Sequence, residues 1–481
     1  MEPSLGGVLV VGALLVLGHL LGSALIIGLF ASLPFGSTAF ATLSALGGSS
    51  PLIYTVFVLL VLAATVLHRG FLGDLATVLA THWTAWVVLA LIGYAVFSAV
   101  VFPRLFAGEA TALVPTTTGV KELPLAPVSA NITQAGYFVI GALTYFAFAI
   151  YLVRGGSLDI VRRGVLTWIV LHAGLGLVDL MGKATGIGDI LAPIRTASYA
   201  YLVEVEEAGF WRIAGGYSEA SAFGSVTLAC LAFSYSYWRV RPSPPMLGLT
   251  ALLFALLILS TSSTAYAGLA IVAPFAAVSM VVSMARRGVS RTDIVLVAVG
   301  WTGLIAVLCL YLFHEQLFDP FIGLFETMVL KKSMSTSALE RAYWNWRSID
   351  AFFATNGFGV GLGSSRASSW IIAVLSQLGV IGSMLMAALV GALLWDMFAA
   401  KRRDTDPRHL ALACGLRSCV LASLAGASVS SGFADPGLQF FIALAVVAVF
   451  RKGGAVHPGP RFGVALPTAV GRARELREVS R

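Results

Sequence analysis

Long stretches of uninterrupted apolar residues dominate this chain, and the first of them runs from Gly7 to about Leu33. A helix needs about 20 such residues to cross the hydrocarbon core of a bilayer. Only 11% of the 481 residues are charged and 58% are hydrophobic, too few charges for the surface of a soluble protein. Because backbone polar groups in lipid must pair within the chain, long apolar runs without two-residue alternation predict an all-α, polytopic transmembrane protein. A cytosolic enzyme, a disulfide-stapled secreted module and a disordered protein are excluded.

The charges between the apolar runs predict how the chain is oriented. Twenty Lys and Arg lie in one alternating set of connections and ten in the other, which gives net charges of +11 and −4. Since basic connections are retained on the cytoplasmic side, both termini are predicted to be cytoplasmic, and the overall charge of +8 does not indicate a nucleic-acid partner. About twelve spans are predicted, near residues 8–31, 51–67, 84–102, 133–153, 164–181, 219–238, 246–261, 264–284, 293–313, 370–398, 410–430 and 436–450.

The predicted organisation is a single transmembrane domain over residues 1–450, followed by a basic cytoplasmic tail over 451–481. Two long outer loops, 182–218 and 314–369, are the expected carriers of function, because loops held by a rigid helical scaffold commonly bind and react. A third outer loop, around 103–132, is interpreted as a spacer. The four cysteines all lie in apolar runs, and no cluster of residues has the spacing of a metal site, so neither a metal nor a cofactor is expected.

The loop 314–369 contains three arginines, Arg341, Arg347 and Arg366, and aromatic residues at helical spacing that include Trp344. The spacing is typical of a helix lying in the membrane interface. The rigid fork of arginine suits a phosphate, so a lipid phosphate or diphosphate is a candidate ligand, although isolated arginines also serve as surface or headgroup-contacting residues. A glycine string follows the helix and permits close approach of the backbone to a ligand. Its members are Gly357, Gly359, Gly361 and Gly363.

The loop 182–218 leads into a span through Arg212, Glu219 and Ser221. Glu219 either caps the start of the following helix or acts as a functional carboxylate. Within the predicted spans, His172 and Asp179 lie seven residues apart on one helix face, and ionisable groups in such places are functional candidates. The sequence leaves open whether these two act in function.

From Arg212 to about Met386 the chain resembles the membrane superfamily of O-antigen ligases and polysaccharide polymerases. The resemblance rests on three segments in order: Arg212 to Phe223, the Ser/Thr-rich break at 260–264, and the segment from Arg341 through the glycine string to Gly382. Ligases of this superfamily usually carry a histidine before the closing glycine segment, where this chain has Arg366 to Trp370. The resemblance is therefore closest to a polymerase of exopolysaccharide or capsule repeat units.

This resemblance implies a GT-C-like fold in a bacterial inner membrane. The implied reaction is metal-independent glycosyl transfer between polyprenyl-diphosphate-linked oligosaccharides on the periplasmic face, with a chain-length regulator as a candidate partner. A ligase that transfers glycan to lipid A core, and a transporter or flippase of lipid-linked sugars, remain alternatives. In the implied site Arg341 and Arg212 meet the diphosphate, and Glu219, with His314 as second choice, activates the acceptor. Substrate contacts are assigned to Arg347, Arg366, Trp344, Ser221, Gly357, Gly359, Gly361 and Gly363.

Overall fold

The computed structural model describes residues 2–42, 50–116, 119–198, 201–203, 206–207, 210–313, 336–395 and 406–451. His314, the first part of the loop 314–369 and nearly all of the predicted basic tail lie outside these residues. The described part is overwhelmingly helical. Its helices are α1 (Leu5–Leu21), α2 (Ala24–Ser32), α3 (Ile53–Val66), α4 (Phe71–Thr81), α5 (Trp83–Leu105), α6 (Ser129–Val153), α7 (Leu158–Ala184), α8 (Ala220–Val240), α9 (Pro244–Leu259), α10 (Ser263–Arg287), α11 (Arg291–Phe313), α12 (Thr336–Ala354), α13 (Trp370–Trp395), α14 (Pro407–Ser430) and α15 (Leu438–Arg451).

Six of the described helices are long and apolar enough to cross a membrane, which agrees with the predicted helical membrane class. They are α5, α6, α7, α10, α13 and α14. The apolar helix α3 and the helix α4 together pass the same test, but the chain bends by 100° between them. The predicted count of twelve spans remains a prediction, because length and composition identify six candidates, or seven with the bent pair, among the described residues.

The first predicted span, 8–31, is wrong. The chain turns back on itself at Gly22, which has φ 117, and Ser23 begins the next helix by accepting a hydrogen bond from the Ile26 amide. As a result α1 and α2 form an antiparallel hairpin. The start of α1 lies beside the chain that follows α2, where the Ser4 amide donates to the Phe40 carbonyl at 2.9 Å. A left-handed glycine followed by a capping serine ends a helix even where hydropathy is uninterrupted.

This hairpin also overturns the prediction that the N-terminal segment lies at the basic end of the bundle. Helix α7 is about 40 Å long at 1.5 Å per residue, so its two ends mark the two ends of the bundle. Arg163, near its start, donates to the Leu21 carbonyl at the hairpin turn. Gly6, in contrast, lies against Pro193, which follows the end of α7; a Cβ on Gly6 would be 2.8 Å from the Pro193 carbonyl oxygen. The described N-terminal residues therefore lie at the opposite end from Arg163, which is named here the outer end.

Three short antiparallel strand pairs occur in the described part of the chain, and one of them replaces a predicted spacer. Strands β1 (Glu2–Pro3) and β2 (Ala41–Thr42) form the first pair, and β5 (Glu206–Glu207) and β6 (Phe210–Trp211) form the last. Between them, β3 (Thr111–Thr116) and β4 (Gly119–Pro124) make a hairpin within the loop 103–132, paired from Thr111 with Pro124 to Thr116 with Gly119. This hairpin contacts α12 and is thus part of the outer architecture.

Candidate functional site

A polar cavity of about 320 Å³ opens at the outer end of the bundle, between the start of α8, the helix α12, the segment 364–369 and the end of α14. Five residues singled out in the sequence meet on its wall: Glu219, Ser221, Arg341, Trp344 and Arg366. They come from segments up to about 150 residues apart, so only the fold brings them together. The remaining lining residues are Ala222, Ser225, Ser337, Glu340, Ser368 and Ser430.

Helix α12 presents two chemically different faces, and one of them forms a wall of the cavity. Ser337, Glu340, Arg341 and Trp344 follow at intervals of three, one and three residues, which places them on one face of a helix. The opposite face carries exposed apolar residues at the same periodicity. These are Leu339, Tyr343, Trp346 and Phe353. The two faces agree with the amphipathic pattern expected of an interfacial helix.

The Arg366 guanidinium lies over the ring of Trp344, with its central carbon 5.2 Å from the ring centroid. Gly432 makes room for this side chain, since a Cβ there would lie 2.8 Å from Arg366 Cγ and 2.9 Å from Nε. Among the described residues, the buried Arg366 Nε has no hydrogen-bond partner. Burial lowers the pKa of Arg366, the Glu219 charge acts in the opposite direction, and the Arg341 charge lowers it further. The cavity thus holds a desolvated cation beside a second one.

Glu219 stands at the N-cap position of α8, but its side chain makes no capping hydrogen bond. The carboxylate instead accepts a short hydrogen bond from the Ser221 hydroxyl. Ser225, one turn further along α8, donates its hydroxyl to the Ser221 carbonyl at 2.9 Å. The capping role is therefore not the one that Glu219 plays, and its carboxylate is held on the cavity wall by Ser221.

Arg347 lies outside the cavity and joins α12 to the β3–β4 hairpin. Its guanidinium forms an ion pair with Glu122, donates to the Thr111 hydroxyl at 2.8 Å, and contacts Asp350 at 3.1 Å. Tyr343 donates a second short hydrogen bond to Glu122. The hydrogen bonds from Arg347 and Tyr343 hold the pKa of Glu122 at about 2. Sequence reasoning did not single out Glu122, because its partners lie more than 200 residues away.

The glycine string approaches protein backbone, and none of its members lines the cavity. All four glycines have left-handed φ values, between 80° and 91°. A Cβ would lie 2.7 Å from the Gly379 nitrogen at Gly359, 2.5 Å from the Ser98 oxygen at Gly361, and 2.5 Å from the Ala130 oxygen at Gly363. Gly357 is different, because its nearest neighbours would be 3.5 Å away. The close approach expected from the sequence is thus present, but the approached groups belong to α5, α6 and α13.

A break in α13 explains why the glycine string is bound there. Gly379, with φ 64 and ψ −165, interrupts the helix, so carbonyl groups before it are available to other partners. The Val360 amide donates to the Ser376 carbonyl at 2.8 Å and the Gly361 amide to the Gln377 carbonyl at 3.0 Å. These bonds fasten the segment that precedes Arg366 and so fix where that arginine enters the cavity.

Arg212 is half-buried and is not a lining residue of the cavity. Its backbone carbonyl accepts a hydrogen bond from Lys183 at 2.6 Å. His172 bonds the Thr227 hydroxyl at 2.8 Å and stacks on Phe223 with 4.7 Å between ring centroids, which is a packing role inside the bundle. Asp179 does not reach water; it is buried in a cluster of charges described below.

Five further polar lining residues were not identified in the sequence. Glu340 and Ser337 share the helical face of Arg341 and Trp344, so the periodicity of α12 alone could have revealed them. Ser225 could have been found in the same way, one turn after Ser221. Ser430 and Ser368 carry no such signal, because their segments reach the cavity only through the packing of α14 and the loop before α13.

In the described ranges no group of three or more His, Cys, Asp or Glu side chains is placed to hold a metal ion. Comparison of the chain with known protein families, with curated proteins and with solved structures finds no match. The functional argument therefore rests on the chemistry of the cavity itself.

Proposed function

We propose that this protein transfers a glycosyl unit from a polyprenyl-diphosphate-linked oligosaccharide to the hydroxyl group of another such oligosaccharide, and thereby polymerises surface polysaccharide repeat units. The proposal follows the resemblance in the sequence. It is supported above all by one observation: two arginines and two carboxylates, Glu219 and Glu340, share the wall of one polar cavity at the outer end of the bundle. The proposal takes the cavity as periplasmic, because the basic connections lie at the other end of the bundle and the positive-inside rule favours that end as cytoplasmic.

Three of the four charged residues on the wall, Glu219, Arg341 and Arg366, have a part in the reaction. The acceptor hydroxyl oxygen attacks the anomeric carbon of the donor, and the bond from that carbon to the diphosphate oxygen breaks. Glu219 takes the hydroxyl proton, with its carboxylate held in place by Ser221. The polyprenyl diphosphate leaves with an additional negative charge, which Arg341 and Arg366 stabilise by hydrogen bonds aimed at its oxygens.

The environment of Arg366 suits this part. A partly desolvated guanidinium interacts more strongly with a developing anion than one in water does, because the surrounding dielectric is lower. Trp344 holds the plane of the guanidinium by a cation–π contact, which reduces the freedom that the side chain would lose on binding. The serines that line the rest of the cavity provide hydroxyl groups of the kind that hydrogen-bond sugars.

The position of the cavity favours a glycosyl transferase over a transporter of lipid-linked sugars. A transporter binds its substrate near the middle of the membrane, between repeats that alternate in access. The cavity lies instead at one end of the bundle, beside the amphipathic helix α12. A ligase would use the same arrangement with a different acceptor, so acceptor identity separates ligase from polymerase.

The test is a transfer assay with the full-length protein in nanodiscs and a lipid-linked oligosaccharide as both donor and acceptor. We expect Arg341→Gln, Arg366→Gln and Glu219→Gln each to lower kcat by about 100-fold or more, the loss that removal of one transition-state donor or base typically produces. Arg104→Gln and Glu109→Gln are matched controls, because both residues are exposed at the outer end and away from the cavity. Unchanged chain length in all three cavity variants, or no transfer by the unaltered protein, contradicts the proposal.

A further inference from the structure

Four charged side chains are packed together at the outer end of α7, beneath the segment that leads to Glu219. Asp179 is bonded to Lys183 at 2.9 Å and to Arg195 at 3.3 Å, and Arg195 also pairs with Asp189. The side chains of Asp179, Arg195 and Lys183 are only 1%, 3% and 6% exposed. Burying a cluster of charges gives little net stability compared with apolar packing, so its value lies in the single geometry that it enforces.

The geometry that this cluster enforces is the path of residues 212–215, which have no helix or strand to pair their backbone groups. One Asp179 oxygen accepts the amides of Ala214 at 2.8 Å and of Gly215 at 3.1 Å. Lys183 donates to the Arg212 carbonyl at 2.6 Å, and Arg195 donates to the Gly215 carbonyl at 2.6 Å. Four backbone groups within residues 212–215 are therefore held by charge-assisted hydrogen bonds, which are about twice as strong as neutral ones.

The constraint continues from Gly215 to the cavity. The Gly216 carbonyl accepts both the amide and the hydroxyl of Ser37, at 3.0 and 2.8 Å. The Tyr217 hydroxyl donates to the Leu33 carbonyl at 3.1 Å. Only Ser218 separates this anchored stretch from Glu219, so the position of the carboxylate depends on the segment fastened by Asp179.

We propose that Asp179 is a positioning residue, which sets the location of the Glu219 carboxylate in the cavity through the backbone of residues 214–215. The inference rests on the proposed function for its kinetic consequence, and Asp179 itself does not line the cavity. Replacement of Asp179 by asparagine weakens the bonds to the two amides, because only one neutral acceptor oxygen remains, and leaves Lys183 and Arg195 without their shared anionic partner. A displacement of Glu219 by about 1 Å is enough to slow a reaction by about 100-fold while the binding groups stay in place.

The experiment compares Asp179→Asn with Asp293→Asn in the full-length protein in nanodiscs. Asp293 is an equally buried carboxylate, paired with Arg239 and bonded by Ser290, but at the other end of the bundle. Hydrogen–deuterium exchange of the peptide that covers residues 212–219 is measured together with kcat, KM for the lipid-linked donor, and the melting temperature. Asp179→Glu is the second variant, since it keeps the negative charge of the cluster but moves the carboxylate by one methylene group relative to the amides of Ala214 and Gly215.

We expect Asp179→Asn to speed exchange in the 212–219 peptide and to lower kcat about tenfold to 100-fold, with KM within about twofold. Asp293→Asn should leave exchange in that peptide and kcat unchanged. Unaltered exchange in Asp179→Asn, or a loss of kcat that Asp293→Asn shares in proportion to its melting temperature, overturns the inference. If the unaltered protein transfers no sugar while exchange in Asp179→Asn rises, the proposed function fails and the anchoring of the segment stands. If Asp179→Asn does not fold, exchange and kcat in Asp179→Glu decide by the same criteria.

Discussion

Substitution of single glycines in the string before Arg366 tests whether that string binds protein or ligand. Gly357→Ala and Gly361→Ala form a matched pair, because the two residues have similar φ values of 80° and 91°. Both substitutions therefore introduce the same left-handed strain, about 1–2 kcal/mol for a residue with a Cβ. They differ in what the new Cβ meets.

At Gly357 the nearest atoms, on Phe352 and Val380, lie 3.5 Å from the new Cβ, which is ordinary van der Waals contact. At Gly361 the Cβ would lie 2.5 Å from the Ser98 carbonyl oxygen and 2.8 Å from Pro103 Cδ, both in α5. The glycine string or α5 must then move, which typically lowers the free energy of unfolding by about a further 1–3 kcal/mol. The sum predicts a loss of about 1–2 kcal/mol for Gly357→Ala and of about 2–5 kcal/mol for Gly361→Ala.

The measurement is equilibrium or thermal unfolding of each purified variant in the same detergent, followed by tryptophan fluorescence. Gly361→Ala should be the less stable of the two by at least about 1 kcal/mol. If Gly361→Ala is as stable as Gly357→Ala but has lost affinity for a lipid-linked donor, the string contacts ligand and the reasoning from packing is refuted.

Three further predictions concern other parts of the molecule. The pKa of Glu122 is lowered from 4.5 to about 2, so its bond to Arg347 stabilises the fold above about pH 4.5 and is lost as the pH falls towards 2. The rate of proteolysis of the β3–β4 hairpin should therefore rise as the pH falls through this range. Glu122→Gln should abolish this pH dependence. A short epitope tag placed before residue 2 should be accessible in spheroplasts with an intact inner membrane, whereas accessibility only after permeabilisation of that membrane would contradict the α1–α2 hairpin. Gly432→Ala should displace the Arg366 side chain, since the new Cβ would lie 2.8 Å from Arg366 Cγ, and should slow transfer about tenfold or more. Its loss of stability should not exceed that of Ala427→Gly, a control in α14. An unchanged transfer rate in Gly432→Ala would contradict the assigned position of Arg366.

Local periodicity accounts for the part of the site that the sequence could predict. Arg341 and Trp344 are three residues apart on an amphipathic helix, so their proximity follows from helical geometry alone. Glu219 and Ser221 are close in the sequence, and their side chains meet because Glu219 has the extended backbone of the N-cap position at the start of α8. The joining of these two pairs, and the addition of Arg366 and Ser430, depends on how α8, α12 and α14 pack. No repeat or spacing in one dimension encodes such contacts.

The apolar runs of the chain determined by themselves that it is a helical membrane protein, because the backbone in lipid has few other solutions. Tertiary structure decided the rest. Hydropathy cannot separate one long span from the α1–α2 hairpin, since both are uniformly apolar, and only the left-handed backbone at Gly22 reverses the chain. In the same way, a glycine string in the sequence indicates that the backbone approaches another group closely, because glycine lacks a Cβ. Packing alone decides that the approached group is the backbone of α5, α6 and α13 and not a ligand. The buried charges show the same division between sequence and structure. The sequence identified Asp179 as an ionisable residue within a span, but the positioning role proposed for it depends on its four hydrogen-bond and ion-pair partners in the folded protein.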